Sequence, residues 1–258
     1  MSENALYADL SAYYDLMCAD IDYREQCESA KRIHQLFGQG GKNYLDLACG
    51  TGPHISAFLE YGYCATGLDL NIAMLNLARK RCPQATFSQQ NMNDFHFDTK
   101  FDLITCFLYS LHYCSPKTSF TQALSQAYDA LNPGGVLCFD CVDKHHIAND
   151  EGYRHSLGYR TKDGTLETFD FQSRWCYQGL GETLDLHVSI VRTVNDVSEQ
   201  WSDTHIMTAV SITEIRAVLE SIGFEVHFFE RDFSRLVEAT ENSGNILAVC
   251  VKPELRQS

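Results

Sequence analysis

The stretch LDLACGTGPH, residues 45–54, runs from apolar residues typical of a strand, through a loop of very small residues, into the start of a helical pattern. Gly50 and Gly52 allow the backbone to adopt positive φ angles and to come close to a ligand. In an open parallel sheet, ligands bind at the carboxyl ends of the strands near the point where strand order reverses. The stretch therefore predicts a ligand site at a strand-to-helix junction.

Composition narrows the class of protein. The 258 residues carry 20 Lys and Arg against 34 Asp and Glu, a formal net charge of −14, and 45% are hydrophobic. This charge disfavours the phosphate attraction on which most nucleic-acid binding depends. The amino-terminal MSENALYADLSAYYD lacks the basic and apolar segments of a signal peptide, and no apolar run is long enough for a membrane span. We expect a cytoplasmic protein that binds neither nucleic acid nor membrane.

The cysteines raise the question of a metal site. The chain has 11 of them, spread through apparent strands and helices, which favours reduced thiols. CFDCVDKHH brings Cys138 and Cys141 near His145 and His146. Residues three apart on a strand face opposite ways, which disfavours joint coordination. We predict buried strand cysteines and no metal.

The order of patterns predicts the architecture. Through residue 145, strand-like runs alternate with helical patterns, which is typical of an α/β doubly wound parallel sheet. Hairpin signals at KDG and GLGE then indicate an inserted antiparallel β lid over residues 146–210. Helical and strand patterns return in 211–258, where Ser211 and Glu214 predict a capping box. Residues 1–145 and 211–258 would form the Rossmann-like core.

The residues after the glycine loop favour a ribose-containing ligand. A dinucleotide fingerprint needs a third glycine where Ile55 stands, which weakens a nicotinamide interpretation. Asp69 follows the glycines by about 20 residues, where a carboxylate accepts hydrogen bonds from ribose hydroxyls. The alternative is that Asp69 caps the helix that follows it.

Five segments in order, LDLACGTG, GLDLN, QQNMNDF, FDLITCF and LNPGG, resemble the class I S-adenosylmethionine-dependent methyltransferases across residues 40–142. YYDLMCADIDY and the hairpin insertion are similar to small-molecule methyltransferases, including amino-sugar N,N-dimethyltransferases and glycine N-methyltransferase-like enzymes. The resemblance implies a seven-stranded sheet of the methyltransferase type. It also implies S-adenosylmethionine as cofactor, S-adenosylhomocysteine as product and a small-molecule acceptor; we expect a monomer or homodimer.

The resemblance also implies a cofactor site. The loop from Asp46 would line the methionine part, and Asp69 would hold the ribose. Ile72 and Met74 would flank the adenine. Asn91 stands where the family commonly has an acidic residue for the adenine amino group, with Asp94 as the alternative. The predicted cofactor-binding residues are Asp46, Ala48, Cys49, Gly50, Gly52, Asp69, Leu70, Met74, Asn91, Met92 and Phe107.

The acceptor side is predicted from CFLYSLHYC and from aromatic residues elsewhere. His112 titrates near neutral pH and is either a base or a structural residue. Tyr14 either closes over the cofactor or packs a helix, and the aromatics of the insertion either reach the substrate or pack on the core. The predicted catalytic residues are His112, Tyr109 and Tyr14. The predicted substrate-binding residues are Tyr113, Trp175, Tyr177 and His205, with His187 considered beside them.

These residues lead to one main functional hypothesis: in-line methyl transfer to a small polar molecule, at nitrogen first and at oxygen or sulfur as alternatives. Competing hypotheses are a methyltransferase for protein or RNA and a noncatalytic adenosyl-binding sensor or scaffold. A nicotinamide-dependent oxidoreductase ranks last. An open cavity beside the cofactor would distinguish an enzyme from a sensor.

Overall fold

The structure, a computed structural model, describes residues 11–254 and only the backbone of residues 11 and 12. The helices are α1 Ser11–Met17, α2 Tyr23–Phe37, α3 Pro53–Glu60, α4 Ile72–Arg81, α5 Lys117–Ala130 and α6 Ile212–Ile222. The strands are β1 Asn43–Leu47, β2 Cys64–Asp69, β3 Thr86–Gln89, β4 Phe101–Cys106, β5 Leu131–Val142, β6 Tyr153–Arg160, β7 Leu166–Cys176, β8 Thr183–Val194, β9 Val197–Thr208, β10 Glu225–Glu230 and β11 Asn245–Val251. Across this described part, no helix is both long and apolar enough to span a membrane.

Seven strands form the core sheet in the order β10-β11-β5-β4-β1-β2-β3. The five strands from β3 to β5 are parallel, and β11 runs antiparallel to both β5 and β10. The predicted α/β seven-stranded sheet is confirmed. Because β1 pairs with both β2 and β4, strand order reverses beside β1, and the loops after β1, β2 and β4 meet at one carboxyl edge.

Apolar side chains cover both faces of this sheet. One cluster contains Ile104, Phe139 and Ile215, and the other contains Ile33 and Phe58. The alternation predicted for β5 holds, because Cys141 belongs to the first cluster and Cys138 to the second. The two thiols therefore lie on opposite faces of the sheet. Within residues 11–254, no cluster of three or more His, Cys, Asp or Glu side chains is placed to hold a metal ion.

A separate sheet follows β5 in the chain. Strands β6, β7, β8 and β9 form an antiparallel meander, as the hairpin signals predict. The turn between β8 and β9 is made by Asn195 and Asp196, both at positive φ, a pair that the hairpin signals did not include. One face of this sheet packs Phe169, Phe171, Val188 and Ile190 against side chains of α1. We call β6 to β9 the second sheet.

Two hydrogen bonds tie the end of β9 to the turn that follows β4. His112 Nδ1 lies 2.8 Å from the carbonyl oxygen of Thr208, and Thr208 Oγ1 donates to the carbonyl oxygen of Cys114 at 2.7 Å. All four groups lie in buried surroundings, where such bonds are difficult to exchange for water. The second sheet is thus fixed to the carboxyl edge of the core sheet.

Helix α6 begins with the predicted capping box. Glu214 N donates to Ser211 Oγ, and Ser211 N donates to Glu214 Oε2 at 2.8 Å. Lys117 and Lys144 also contact the Glu214 carboxylate, at 2.7 and 2.8 Å. Burial by itself would raise the pKa of Glu214, but the hydrogen bonds from these two lysines lower it to about 2.

Candidate active site

A cavity of about 410 Å³ opens at the carboxyl edge of the core sheet, beside the point where strand order reverses. Its volume is in the range of small-molecule sites. Its lining consists of Tyr14, Ala48, Gly50, Leu68, Asp69, Leu70, Asn71, Met74, Gln90, Asn91, Met92, Asn93, Leu108, Ser110, Tyr113, Cys114 and Ser115. A narrow recess shares Tyr14, Ala48, Gly50, Leu108 and Ser110 with this cavity and extends to Asp46, His54 and Phe107.

The glycine loop presents backbone to the cavity. Ala48, Gly50 and Gly52 have φ angles of +56°, +53° and +82°. Gly52 lies outside the cavity lining, and a Cβ there would come within 3.2 Å of Ala78 on α4. The Cys49 side chain is also turned inward, against Gly67 of β2. Ala48 and Gly50 thus face the ligand space, Cys49 lines the recess with its thiol turned toward β2, and Gly52 serves packing.

Asp69 links the ends of β1 and β2. Its Oδ2 accepts from Gly50 N and its Oδ1 from Asn71 N, both at 2.8 Å. Burial raises the pKa of this carboxyl group. The cap of α4 is Asn71, whose Oδ1 accepts from Ala73 N and Met74 N, so Asp69 is not the helix cap. A carboxylate has further lone pairs for hydroxyl donors in the cavity that Asp69 lines.

Apolar and amide side chains line the cavity beyond Asp69. Leu70, 65% exposed, and the buried Met74 lie on one part of the wall, and Met92 on another. Asn91 lies in the lining, together with Gln90 and Asn93, which were not among the predicted residues. Ile72 and Asp94 were considered from the sequence, and both are exposed and lie outside the lining.

Asp46 has a buried oxygen that lacks a hydrogen-bond donor in the described chain. Thr105 Oγ1 donates to its Oδ1 at 2.7 Å, while Oδ2 has His54 Nδ1 at 3.6 Å and no donor within hydrogen-bond range. The side chain is fully enclosed and lines the recess. A cationic group in the recess would satisfy this oxygen.

The turn after β4 is strained and held by a buried ion pair. Leu108 and Tyr109 both have positive φ, +57° and +59°. Asp140 accepts from Tyr109 N through Oδ1 and from Arg231 Nε through Oδ2, each at 2.7 Å. This turn directs Leu108 and Ser110 into the cavity lining. Sequence reasoning missed Asp140 and Arg231; the available signal was a lone carboxylate inside the apolar run of β5.

Tyr109 lies outside the cavity lining. Its hydroxyl donates to Asn245 Oδ1 at 3.1 Å, and the Arg231 guanidinium lies 4.8 Å from its ring centroid. Burial raises the pKa of Tyr109 to about 12. The side chain predicted to act in catalysis thus contacts β11 and Arg231.

His112 is completely buried, and both ring nitrogens have partners. Val142 N donates to Nε2 at 3.2 Å, so Nε2 is unprotonated and Nδ1 carries the hydrogen that is donated to Thr208 O. Burial lowers the pKa of His112. His112 also lies outside the lining, and these contacts favour the structural alternative over a base.

On the acceptor side, Tyr14 and Tyr113 line the cavity. The Tyr113 hydroxyl lies 2.6 Å from Nδ1 of His205, which is 1% exposed and stands behind it. Trp175 packs edge-on against Tyr109 and His112, and Tyr177 donates its hydroxyl to Gly181 O at 3.2 Å. These last two aromatics lie outside the lining, as does His187, which contacts Thr204 Oγ1.

Helix α1 is pinned over the glycine loop. Thr51 Oγ1 donates to Asp15 Oδ1 at 2.6 Å, and Arg81 donates to Asp15 Oδ2 at 2.5 Å and to Thr51 O at 2.9 Å. The neighbouring Tyr14 is thereby held above Gly50. The predicted site did not include Asp15 or Arg81, whose contact joins residues that are distant in the chain.

Comparison with known proteins agrees with this geometry. Residues 45–135 match a family model described as "Methyltransferase domain". A Geobacillus sp. (strain WCH70) protein named as a methyltransferase is 33% identical over 88% of this chain and 92% of its own length. The dTDP-3-amino-3,4,6-trideoxy-alpha-D-glucopyranose N,N-dimethyltransferase of Streptomyces venezuelae is 29% identical over 72% of this chain and 76% of its own.

Among solved structures, S-adenosylmethionine-bound CalS10 of Micromonospora echinaspora, described as an amino pentose methyltransferase, shares the fold. Its TM-score is 0.73 at 22% identity, over 98% of this chain and 100% of that one. The glycine loop, the carboxylates Asp46 and Asp69, and these matches lead to one assignment. The chain belongs to the S-adenosylmethionine-dependent methyltransferases.

Proposed function

We propose that the chain methylates a small polar molecule, at nitrogen first, with oxygen and sulfur as alternative acceptor atoms. The observation that carries this proposal is the presence of Tyr14, Ser110, Tyr113 and Ser115 in the cavity lining. These polar and aromatic groups suit a compact polar acceptor better than an acyl chain. The names of the Streptomyces and Micromonospora proteins, which refer to amino sugars, support nitrogen as the acceptor atom.

The residues present fit S-adenosylmethionine. Asp46 Oδ2 would pair with the ammonium group of its methionine part, and Asp69 would accept from the ribose hydroxyls. Leu70 and Met74 offer apolar contacts to the adenine, and Asn91 an amide oxygen to its amino group. When bound, the cofactor supplies an electrophilic methyl group on a sulfonium.

The protein's own residues position the acceptor and exclude water from the site. Holding the acceptor in line with the methyl group converts an encounter of two molecules into a step within one complex. We assign residues 146–210 the role of a substrate lid, because their sheet packs on α1, which carries Tyr14 over the glycine loop. A cytoplasmic location and a monomeric or homodimeric state stay predictions.

Methyl transfer to a defined panel of acceptors tests the proposal. The purified chain is incubated with S-adenosylmethionine and a dTDP-linked amino sugar, simple amines, an imidazole, a thiol, transfer RNA or a mixed peptide pool. Mass spectrometry then follows a gain of one methyl group. We expect transfer to an amine of the small-molecule set. Transfer to RNA or peptide alone, or cofactor binding with no transfer, would contradict the proposal, and the latter would favour a sensor.

A further inference from the structure

Tyr113 connects the cavity to a chain of hydrogen-bonding groups in the second sheet. Its side chain lines the cavity, and its hydroxyl lies 2.6 Å from His205 Nδ1. His205 Nε2 lies 3.4 Å from Oδ2 of Asp203. The three residues thus form a sequence of proton-exchanging groups that begins at the cavity wall.

The positions of Tyr113, His205 and Asp203 are fixed by contacts with several parts of the fold. Asp203 Oδ1 accepts from Thr204 N at 2.8 Å, which orients the carboxylate. Asp203 and His205 are two residues apart on β9 and therefore share one face of the strand. The bonds from Thr208 to His112 and Cys114 hold the end of β9 against the turn that carries Tyr113. The contact between the turn and the second sheet is therefore part of the fold.

Both ring nitrogens of His205 have a polar neighbour. The relay argued below needs the hydrogen of the neutral His205 ring on Nε2, which lies 3.4 Å from the Asp203 carboxylate, so that Nδ1 accepts from the Tyr113 hydroxyl. On β8, the residue opposite His205 is the apolar Leu186. The titratable side chains in contact with His205 include Asp203 on its own strand and Tyr113 on the turn.

His205 and Asp203 differ in access to solvent. The His205 side chain is completely enclosed, whereas the Asp203 side chain is 27% exposed. A proton received by His205 therefore has a carboxylate beside it that meets water.

We infer that Tyr113, His205 and Asp203 form a relay that removes the proton from the acceptor atom during methyl transfer, an inference that rests on the proposed function. The acceptor nitrogen forms a bond to the methyl carbon as the carbon–sulfur bond breaks and its electron pair stays on sulfur. The proton on nitrogen passes to Tyr113 Oη, and the Tyr113 proton passes to His205 Nδ1. Asp203 stabilises the resulting imidazolium, which later releases its proton to solvent. Tyr113 is the catalytic residue, and His205 and Asp203 act through it.

The first test is the pH profile of methyl transfer to the acceptors of the panel. Because His205 must be neutral to receive a proton, kcat should fall as the pH falls through its pKa. Burial lowers the pKa of His205 and Asp203 raises it, so Asp203→Asn should move the midpoint of this fall to lower pH. An ionisation of the acceptor itself would not respond to that substitution. Asp170→Asn, an exposed change on β7, is the matched control and should leave the midpoint unchanged.

The second test removes the first member of the relay. Tyr113→Phe keeps the ring but should lower kcat about 100-fold while the Kd for S-adenosylmethionine stays within about twofold. Tyr159→Phe, at an exposed tyrosine of β6, should retain the wild-type rate. Turnover of Tyr113→Phe at the wild-type rate, or an unmoved midpoint in Asp203→Asn, would overturn the relay and leave the proposed function standing.

A third measurement needs no acceptor. Nitrogen NMR of the ¹⁵N-histidine-labelled chain with S-adenosylhomocysteine, assigned with His205→Gln, reports which ring nitrogen carries hydrogen. The relay requires an unprotonated Nδ1 at neutral pH, and hydrogen on Nδ1 would overturn it. Absence of wild-type turnover with every panel member would contradict the proposed function and the relay with it, whereas hydrogen on Nδ1 in a chain that does turn over would overturn the relay alone.

Discussion

The two walls of the cavity are built in different ways. The wall from the glycine loop to Met74, which we call the cofactor wall, consists of the loop backbone and of side chains that follow it within one stretch of the chain. Asp69, for example, is bonded to Gly50 and Asn71. The wall with Tyr14 and Tyr113, the acceptor wall, is fixed by residues distant in the chain, including His205. The cofactor wall is therefore a local motif, whereas the acceptor wall depends on how the second sheet and α1 dock.

The largest expected effect on stability comes from a substitution in the ion pair that holds the turn after β4. Asp140→Asn removes the charge that pairs with Arg231 and leaves a guanidinium largely enclosed without a counter-charge. We expect a loss of about 3 to 5 kcal/mol in the free energy of unfolding, measured by denaturant titration. Asp232→Asn, in the more exposed pair with Arg235, should cost less than about 1 kcal/mol. Equal losses in the two variants would show that Asp140 does not hold the turn.

The next prediction concerns the glycine loop of the cofactor wall. Gly50→Val puts a β-branched residue at a φ of +53° and directs its side chain toward Tyr14. We expect about a 100-fold or greater rise in the Kd for S-adenosylmethionine, a cost of about 2.7 kcal/mol. Gly164→Val, at φ +88° in a hairpin turn with open space around it, has comparable strain and is the control. Its cofactor binding should stay at the wild-type level.

The pH dependence of stability tests the difference between the two walls, because buried histidines lie behind the acceptor wall. Burial lowers the pKa of His112, His205 and, elsewhere, His34. Below about pH 6.5 the unfolded chain binds more protons than the folded one, so stability present above that pH is lost as the pH falls.

We expect the free energy of unfolding to fall by on the order of 1 to 3 kcal/mol between about pH 7.5 and about pH 5.5. His112→Gln should make this dependence shallower. A pH-independent free energy of unfolding, or an unchanged slope in His112→Gln, would contradict the buried neutral state of His112.

The smallest effect concerns α1, which joins the two walls. Thr51→Val removes the hydroxyl that bonds Asp15 and Arg81, so Tyr14 should be held less firmly over Gly50. We expect about a fivefold rise in the Kd for S-adenosylmethionine, about 1 kcal/mol. Thr121→Val, which removes a hydroxyl from the outer part of α5, is the control. Identical affinities in both variants would show that the contacts of α1 with Thr51 do not contribute to cofactor binding.

What the sequence could predict follows the same division. The sheet, the glycine loop and Asp69 follow from patterns within about 30 residues, because strand alternation and a loop of small residues have local physical causes. The capping box at Ser211 is equally local. These features could be placed before any tertiary contact was known.

The acceptor wall could not be placed in this way. His112 was a plausible base from its residue type, but its two bonds come from Val142 and Thr208, 30 and 96 residues away. Tyr109 likewise contacts Arg231 and Asn245, which are distant from it in the chain. Tyr113 and His205 are 92 residues apart. Side-chain direction at these positions is set by contacts with β5, β11, Arg231 and the second sheet, on which no local pattern reports.

Calorimetric titration with S-adenosylmethionine and S-adenosylhomocysteine tests most directly that the carboxylates of the cofactor wall hold the adenosyl ligand. The wild type, Asp69→Ala and the fully exposed Asp98→Ala are compared, with NADH as a control ligand. We predict that the wild type and Asp98→Ala bind both adenosyl ligands and not NADH, and that Asp69→Ala loses about 30-fold or more in affinity. No adenosyl binding by the wild type, equal binding by Asp69→Ala, or binding of NADH alone would contradict the account.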